Sequence, residues 1–462
     1  RDRMFDCPQN LREEEMFEVP EWAANKVVYQ IFPSRFAATE PVDKELWYKA
    51  PITPMDDLHG NLRGIIEHMD DIQNLGIDVL YMTPIFQSNS CHKYDTTDYY
   101  QIDPSFGTTE DLKELVQKAH ERGMKVVLDA VYNHTGREFF AFADILENGE
   151  KSKYRDWYFI DGFPLKSEWG EIPNFKCFGY YGGMPKLNLK NPEVEKYITD
   201  VACYWIKECD IDGWRLDVGD EISHFFWKNF RKAVKAVKKD MLIIGEIWHY
   251  AGDFLEGDEW DTVMNYPFYL NLIDLLADEK ITVSQFVQNL GYLKGRLHKN
   301  CYPLMWNLID SHDTARFLHL CNDNKKKQHL AAAFQLLLPG MPMIYYGDEY
   351  AMPGANDPDC RRGMYWDEEY QDKEMYEWYK RLIQVRKSHA CIVEGELAGI
   401  VTEDEEGTIV LIRKNGEETI AMIFNCSSSA KKFNEYTQKY NLLTENTFDG
   451  NVEGFDAAVI VL

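Results

Sequence analysis

Short, β-rich apolar runs recur eight times along this chain, and stretches with helical periodicity separate them. The runs are Val27–Phe32, Val79–Thr83, Lys125–Asp129, Gly213–Asp217, Leu242–Glu246, Thr262–Asn265, Leu304–Ile309 and Pro342–Tyr346. Most are apolar at nearly every position, the pattern of parallel strands covered on both faces. Strand–helix alternation repeated this often predicts an α/β protein, a (β/α)8 barrel of the TIM type, with a doubly wound open sheet as the structural alternative.

The intervening segments carry helix signals. Leu62, Ile65, Ile66, Met69, Ile72 and Leu75 share one helical face, with Gly76 as the stop. Thr108 and Asp111 form a capping-box pattern ahead of Leu112, Leu115, Val116 and Ala119, with Gly123 as the stop. Asn191 and Pro192 open a helix that runs to Cys209, and Ser223 opens another through Phe226, Phe230, Val234 and Val237. One interval, from Asp129 to Gly213, is too long for a crossover helix. Its residues 135–190 are rich in Tyr, Phe, Trp and Gly with little helical period, and read as an inserted subdomain. After Arg386 short alternating strands take over, Thr408–Arg413 and Thr419–Phe424, with a turn signal at Asn415–Gly416. The expected organisation is a barrel over 1–134 and 191–386, the insertion over 135–190, and a small antiparallel β-domain over 387–462.

Charge narrows the partners. With 50 basic against 77 acidic residues the chain carries −27, which argues against nucleic acid as a partner. No apolar run approaches the ~20 residues needed to span a bilayer, so no membrane partner is expected. The stretch Arg1–Pro20 is charged and lacks the apolar middle of a secretory signal. The ten cysteines, Cys7, Cys91 and Cys177 among them, form no CxxC pair and suit free thiols in a reducing, cytoplasmic compartment.

In a barrel of this kind chemistry sits at the C-terminal ends of the strands. Those ends carry Asp129 with Asn133 and His134, Arg215 with Asp217, Glu246 with His249, and His312 with Asp313. Acids crowded at one mouth repel and raise at least one pKa, a cost tolerated where a proton must be delivered. Competing motifs are missing: Gly182–Gly183 lacks a following Lys-Ser/Thr, no GxGxxG occurs, Ser311 sits in no GxSxG frame, and His312 and His319 sit in no HExxH frame. What remains is carboxylate chemistry, which suggests glycoside hydrolysis.

The segments DAVYNH (129–134), GWRLDV (213–218), GEIWH (245–249) and NLIDSHD (307–313) resemble the four signature regions of the α-amylase family of retaining glycosidases. MPKLN (184–188), VVYQIFPSRF (27–36), HKYDTTDYYQIDP (92–104) and NDPDCRRGMYW (356–366) resemble the neopullulanase, cyclomaltodextrinase and maltogenic-amylase branch. The resemblance implies retaining hydrolysis of α-1,4 glucosidic bonds, with α-1,6 bonds as a secondary target, in maltooligosaccharides, cyclodextrins, pullulan or starch. A 4-α-glucanotransferase using the same covalent intermediate is the alternative, and a non-catalytic sugar-binding subunit a more distant one. The partner expected is an α-glucan; no metal and no redox or organic cofactor is expected, and the oligomeric state stays open.

By that resemblance Asp217 is the nucleophile, Glu246 the acid/base, and Asp313 holds the sugar hydroxyls beside the reacting carbon. The retaining mechanism requires the first two carboxyls about 5–5.5 Å apart. Arg215 falls two residues before Asp217, on the same face of the strand, and is expected to keep Asp217 ionised while Glu246 stays protonated. His134, His312 and Tyr94 match positions that contact the sugar just before the cleaved bond. Asp357 and Arg361 match a pair that grips the next sugar outward. Trp248, Phe175, Phe178, Tyr180 and Tyr181 are candidates for stacking on sugars at the leaving-group side. Two departures from the branch stand out. The chain starts almost directly at the first barrel strand, where the branch carries an extra β-domain. Gly219-Asp220-Glu221 also replaces the branch's Ala-Asn-Glu. The first strand–helix loop, Ala37–Asp43, offers only two carboxylates, too few for a calcium site.

Overall fold

In a computed structural model that describes residues 17–166, 168 and 170–462, eight parallel strands close into a barrel. They are β1 (Val28–Ile31), β2 (Val79–Met82), β3 (Lys125–Ala130), β4 (Gly213–Leu216), β5 (Leu242–Gly245), β6 (Thr262–Asn265), β7 (Trp306–Asn307) and β8 (Met341–Tyr345). Each neighbours its successor, and β8 pairs with β1 to close the ring. The strand–helix alternation is thus a closed barrel and not an open sheet. The amino-terminal stretch before residue 17 and Cys7 lie outside the described residues.

Side chains alternate along each strand between two apolar compartments. Val28, Val79, Tyr81, Val127, Leu242, Ile244, Met264, Trp306 and Met343 fill the barrel interior. Tyr29, Leu80, Val126, Leu128, Trp214, Leu216 and Ile243 face outward onto the helices. Two-sided burial is why the runs read as continuously apolar. The alternation also fixes the site: in β3 and β4, Asp129 is opposite Arg215, both on the inward set. Leu216 is opposite Gly245, so Asp217 and Glu246 leave the barrel side by side.

Two predicted elements are shorter than expected. The helix expected from Leu62 to Leu75 is split into Leu62–Glu67 and Met69–Leu75 at His68, whose ring stacks on Trp366 at 3.6 Å. The run Leu304–Ile309 pairs only at Trp306–Asn307, because Tyr302–Leu304 is a 3-10 turn and the chain leaves the ladder toward Asp310. The Thr108–Asp111 capping box and the Asn191 and Ser223 caps form as read. Gly76 takes the left-handed conformation (φ 104°) that ends its helix.

Among the described residues of 135–190 the chain carries one α-helix, Phe140–Asn148, two short 3-10 turns, Gly149–Lys151 and Arg155–Trp157, and otherwise irregular backbone, before the helix Pro192–Cys209 leads into β4. Isolated bridges, Tyr158 to Leu187 and Ile160 to Phe175, hold the insertion together, and His134 to Lys186 ties its return to the barrel. Beyond the barrel, the helix Lys373–Ser388 runs two residues past Arg386, whose guanidinium donates to the carbonyls of Leu336 and Leu338. An antiparallel sheet follows, built on β9 (Glu396–Glu403), β10 (Thr408–Asn415), β11 (Glu418–Asn425) and β12 (Asp456–Val461). Gly416 (φ 61°) supplies the tight turn between β10 and β11. Phe424 of this sheet stacks at 4.3 Å on Phe334 of a barrel helix.

Gly245 is a point where packing reaches the barrel mouth. A Cβ there would lie 2.2 Å from the Trp260 ring, which is itself stacked at 4.1 Å on Phe254. G245A is expected to destabilise the protein by about 1–3 kcal/mol through overpacking, and to lower activity because Glu246 is the next residue. Denaturant unfolding checks this, and a wild-type midpoint would refute it.

Candidate active site

The strand ladder continues one residue past β4 and β5. Asp217 N–H donates to Ala130 O (3.1 Å) and Glu246 N–H donates to Leu216 O (3.0 Å), so both acids are held by backbone on the neighbouring strand. The next residue, Val218, is a β-branched residue in the left-handed region (φ 46°, ψ 43°), a strained conformation of the kind that clusters at functional sites. The turn it makes aims its N–H at Glu246 Oε2, 2.8 Å away.

Arg215 is fully buried and binds three carboxylates. Its Nη1 donates to Asp129 Oδ1 and Oδ2 (3.0 and 3.1 Å) and to Asp217 Oδ1 (3.0 Å), while Nη2 is 3.0 Å from Glu246 Oε2. One guanidinium thus spans both acids, hydrogen-bonded to Asp217 through Nη1 and within ion-pair distance of Glu246 through Nη2. Burial and the neighbouring Glu246 push the Asp217 carboxyl well above its ordinary range, with Arg215 opposing. Burial lifts Asp129 to about 6 against the pull of Arg215 and the hydroxyls of Tyr81 and Tyr94. One fixed cation among three buried acids leaves the group ready to keep a proton.

The remaining nominated residues join this centre through an unbroken chain of contacts. Tyr94 OH donates to Asp129 Oδ2 (2.9 Å) and lies 2.6 Å from His312 Nε2. His312 Nε2 is 3.2 Å from Asp313 Oδ2, Arg361 Nη2 is 3.4 Å from Asp313 Oδ1, and Arg361 Nη1 is 2.8 Å from Asp357. Burial and the cations Arg361 and Arg215 keep His312 well below its usual pKa, hence neutral. Gln30 Nε2 occupies its Nδ1 at 2.7 Å, which leaves the proton on Nε2, facing Tyr94 and Asp313. His134 is neutral as well, its pKa pushed by burial to about 4. Its Nε2 contacts the Tyr94 carbonyl (2.9 Å) and its Nδ1 contacts Asn133 Nδ2 (3.3 Å), so both ring nitrogens already have protein partners.

Aromatic side chains frame the mouth. Trp248 stacks on Tyr266 at 3.8 Å, is 40% exposed, and donates from Nε1 to Glu246 Oε1 (3.2 Å). The half-exposed Phe178 ring lies 5.4 Å from His134. Tyr180 and Tyr181 are exposed, whereas Phe175 is buried against Phe142 and belongs to the core. Sequence reading passed over Gln30, Tyr81 and Val218. The first two had a usable signal, a polar group inside an apolar strand run; the strained turn at Val218 had none.

Paired carboxyls on one guanidinium, a neutral histidine and an aromatic platform at the mouth of a (β/α)8 barrel describe a glycosidase. The chain belongs to the alpha-amylase family: the family model described as "Alpha amylase, catalytic domain" matches residues 30–395. It is 46% identical over 430 residues to a cyclomaltodextrinase of Geobacillus thermopakistaniensis, covering 92% of this chain and 73% of that one. Among solved structures, a cyclomaltodextrinase superposes with a TM-score of 0.91 at 39% identity, over 96% of this chain and 79% of that one. The cyclic alpha-maltosyl-(1→6)-maltose hydrolase of Arthrobacter globiformis superposes with a TM-score of 0.87 at 36% identity, over 96% of this chain and 100% of that one. The protein is an α-glucan-acting glycoside hydrolase. Among the described residues no helix is long and apolar enough to cross a membrane.

Proposed function

We propose that this enzyme cleaves α-glucosidic bonds with retention, Asp217 attacking the anomeric carbon and Glu246 serving as acid and then base. The observation that carries this reading is the placement of the two carboxyls on Nη1 and Nη2 of Arg215, each 3.0 Å away. Acids held on one guanidinium suit the closer of the two glycosidase geometries, the one used for retention. Asp217 bonds to the anomeric carbon as the glycosidic C–O bond breaks and Glu246 protonates the departing oxygen; Glu246 then takes a proton from the incoming water, whose oxygen displaces Asp217 from the anomeric carbon.

Glu246 Oε2 is tied by Val218 N–H and Arg215, so Oε1, beside Trp248, is the oxygen that exchanges the proton. Asp313, oriented by His312 and Arg361, binds hydroxyls next to the reacting carbon. Tyr94 lines the same subsite and His134 holds it in place through its carbonyl. Asp357 and Arg361 reach the next sugar.

Cyclic α-glucans are the preferred substrate in this reading, since the relatives named above are a cyclomaltodextrinase and a hydrolase of a cyclic maltosyl-maltose. The free thiols of the described cysteines fit a reducing compartment. The test is β-cyclodextrin, pullulan, starch and maltotriose in parallel, with the first product followed by NMR. The expected outcome is fastest opening of the cyclodextrin and an α-anomeric product. A β-anomeric first product would overturn retention, preference for starch would overturn the substrate assignment, and longer oligosaccharides from concentrated maltotriose would assign transfer.

A further inference from the structure

The inserted segment returns to the barrel along residues 184–188, where Thr135 N–H donates to Pro185 O and Leu187 N–H donates to Asn133 O, both at 3.0 Å. Between those two anchors the Lys186 side chain turns inward. Its ammonium donates to Asn133 Oδ1 and to the backbone carbonyl of Glu221 (2.8 Å), and lies 3.7 Å from Glu221 Oε2. Asn133 Nδ2 contacts the same carboxylate at 3.3 Å. The Lys186 side chain is 18% exposed. A small cation thus sits in a shell of oxygens drawn from the loop after β3 and the turn after β4.

That turn is the one that bears the reacting acid. Glu221 closes the 3-10 turn Gly219–Glu221, and its N–H donates to Val218 O (3.1 Å). Val218 in turn follows Asp217 and holds Glu246 through its strained N–H. We propose that Lys186 is a positioning residue whose ammonium acts as a built-in cation, fixing the Asp217–Val218 turn against the inserted segment so that both acids are aligned for attack. A left-handed valine is costly, and a turn containing it holds only if its far end is anchored. A cation with three donors suits the anchor, because its partners are three oxygens, of an amide, a carbonyl and a carboxylate. Burial draws the Lys186 pKa below the ordinary lysine value, and Glu221 draws it back.

The proposal rests on the reading of Asp217 as nucleophile, so D217N is measured beside the Lys186 variants. K186A leaves a space one propylammonium long, and K186M fills it without charge. Both variants are expected to fold and to lose about 10- to 100-fold in kcat, the scale of a misplaced reacting group. KM is expected to change much less. Propylammonium chloride is expected to restore kcat in K186A, and to do nothing for K186M; tetramethylammonium at equal ionic strength should restore neither. Wild-type kcat in K186A, a loss that propylammonium leaves untouched in folded protein, or failure of both variants to fold would overturn the proposal. If D217N stays active the nucleophile assignment itself falls; if D217N is dead and K186A is normal, only the role of Lys186 falls.

Discussion

Asp217→Asn is expected to lower kcat on the order of 10⁴-fold or more while leaving the protein at least as stable as the parent. The amide keeps the shape of the carboxyl, and its oxygen still accepts from Arg215 Nη1. What it loses is the charge that attacks the anomeric carbon. The stability half follows from linkage. Burial and Glu246 raise the Asp217 carboxyl well above its ordinary value, so the folded protein holds that proton more tightly than the unfolded chain does. The stabilisation from this group is therefore complete below the unfolded carboxyl pKa of about 3.9 and is lost as pH rises through the folded value. Asparagine does not ionise, so the variant escapes that loss. Its melting temperature should match the parent near pH 4 and exceed it by pH 8, a stability gain bought at the expense of function. Residual activity of a tenth or more, or a melting temperature that falls below the parent's at neutral pH, would remove Asp217 from the role.

The barrel was legible because its signal is repetitive. Eight apolar runs separated by helical stretches have few other solutions, and two-sided burial explains why alternation within each run was muted. The acids were legible for a related reason: Asp129, Asp217 and Glu246 each close a run, and a charge at the edge of an apolar strand has to face the mouth. The network behind them was harder to read. Tyr81 donates to Asp129 at 2.6 Å, and Gln30 fixes the histidine tautomer, but each depends on which neighbouring strand comes within reach. Arg215 shows the same limit. Its inward direction follows from period two, whereas its simultaneous contact with Asp129, Asp217 and Glu246 follows from inter-strand register, which no single strand encodes. Arg316 lies wholly beyond sequence reasoning: it is buried with Asp348 at 3.0 Å and donates to the carbonyl of Cys360, joining loops far apart in the chain.

Arg215→Met is expected to produce the largest loss of stability of any single change at the site, about 3–5 kcal/mol at neutral pH, because it strands buried charges without their partner. Methionine suits the surroundings in shape, since the barrel interior below is apolar and Met264 already contacts the arginine at 3.4 Å. The cost is electrostatic. Asp129, Asp217 and Glu246 would face one another with no cation between them, and Asp129 and Asp217 would resist ionisation more strongly. Asp129 sits at about 6 with Arg215 present, and losing that guanidinium moves it higher still. A carboxyl raised in the folded state contributes its full stabilisation below the unfolded pKa and loses it as pH rises through the folded one, so the deficit of the variant should be greatest near pH 8 and shrink toward pH 5. Arg215→Lys should recover part of the stability but little of the activity, because one ammonium cannot occupy the Nη1 and Nη2 positions together. Denaturant unfolding at pH 5 and pH 8, with turnover measured alongside, separates the terms. A deficit equal at both pH values would mean that packing, and not charge, is what Arg215 supplies.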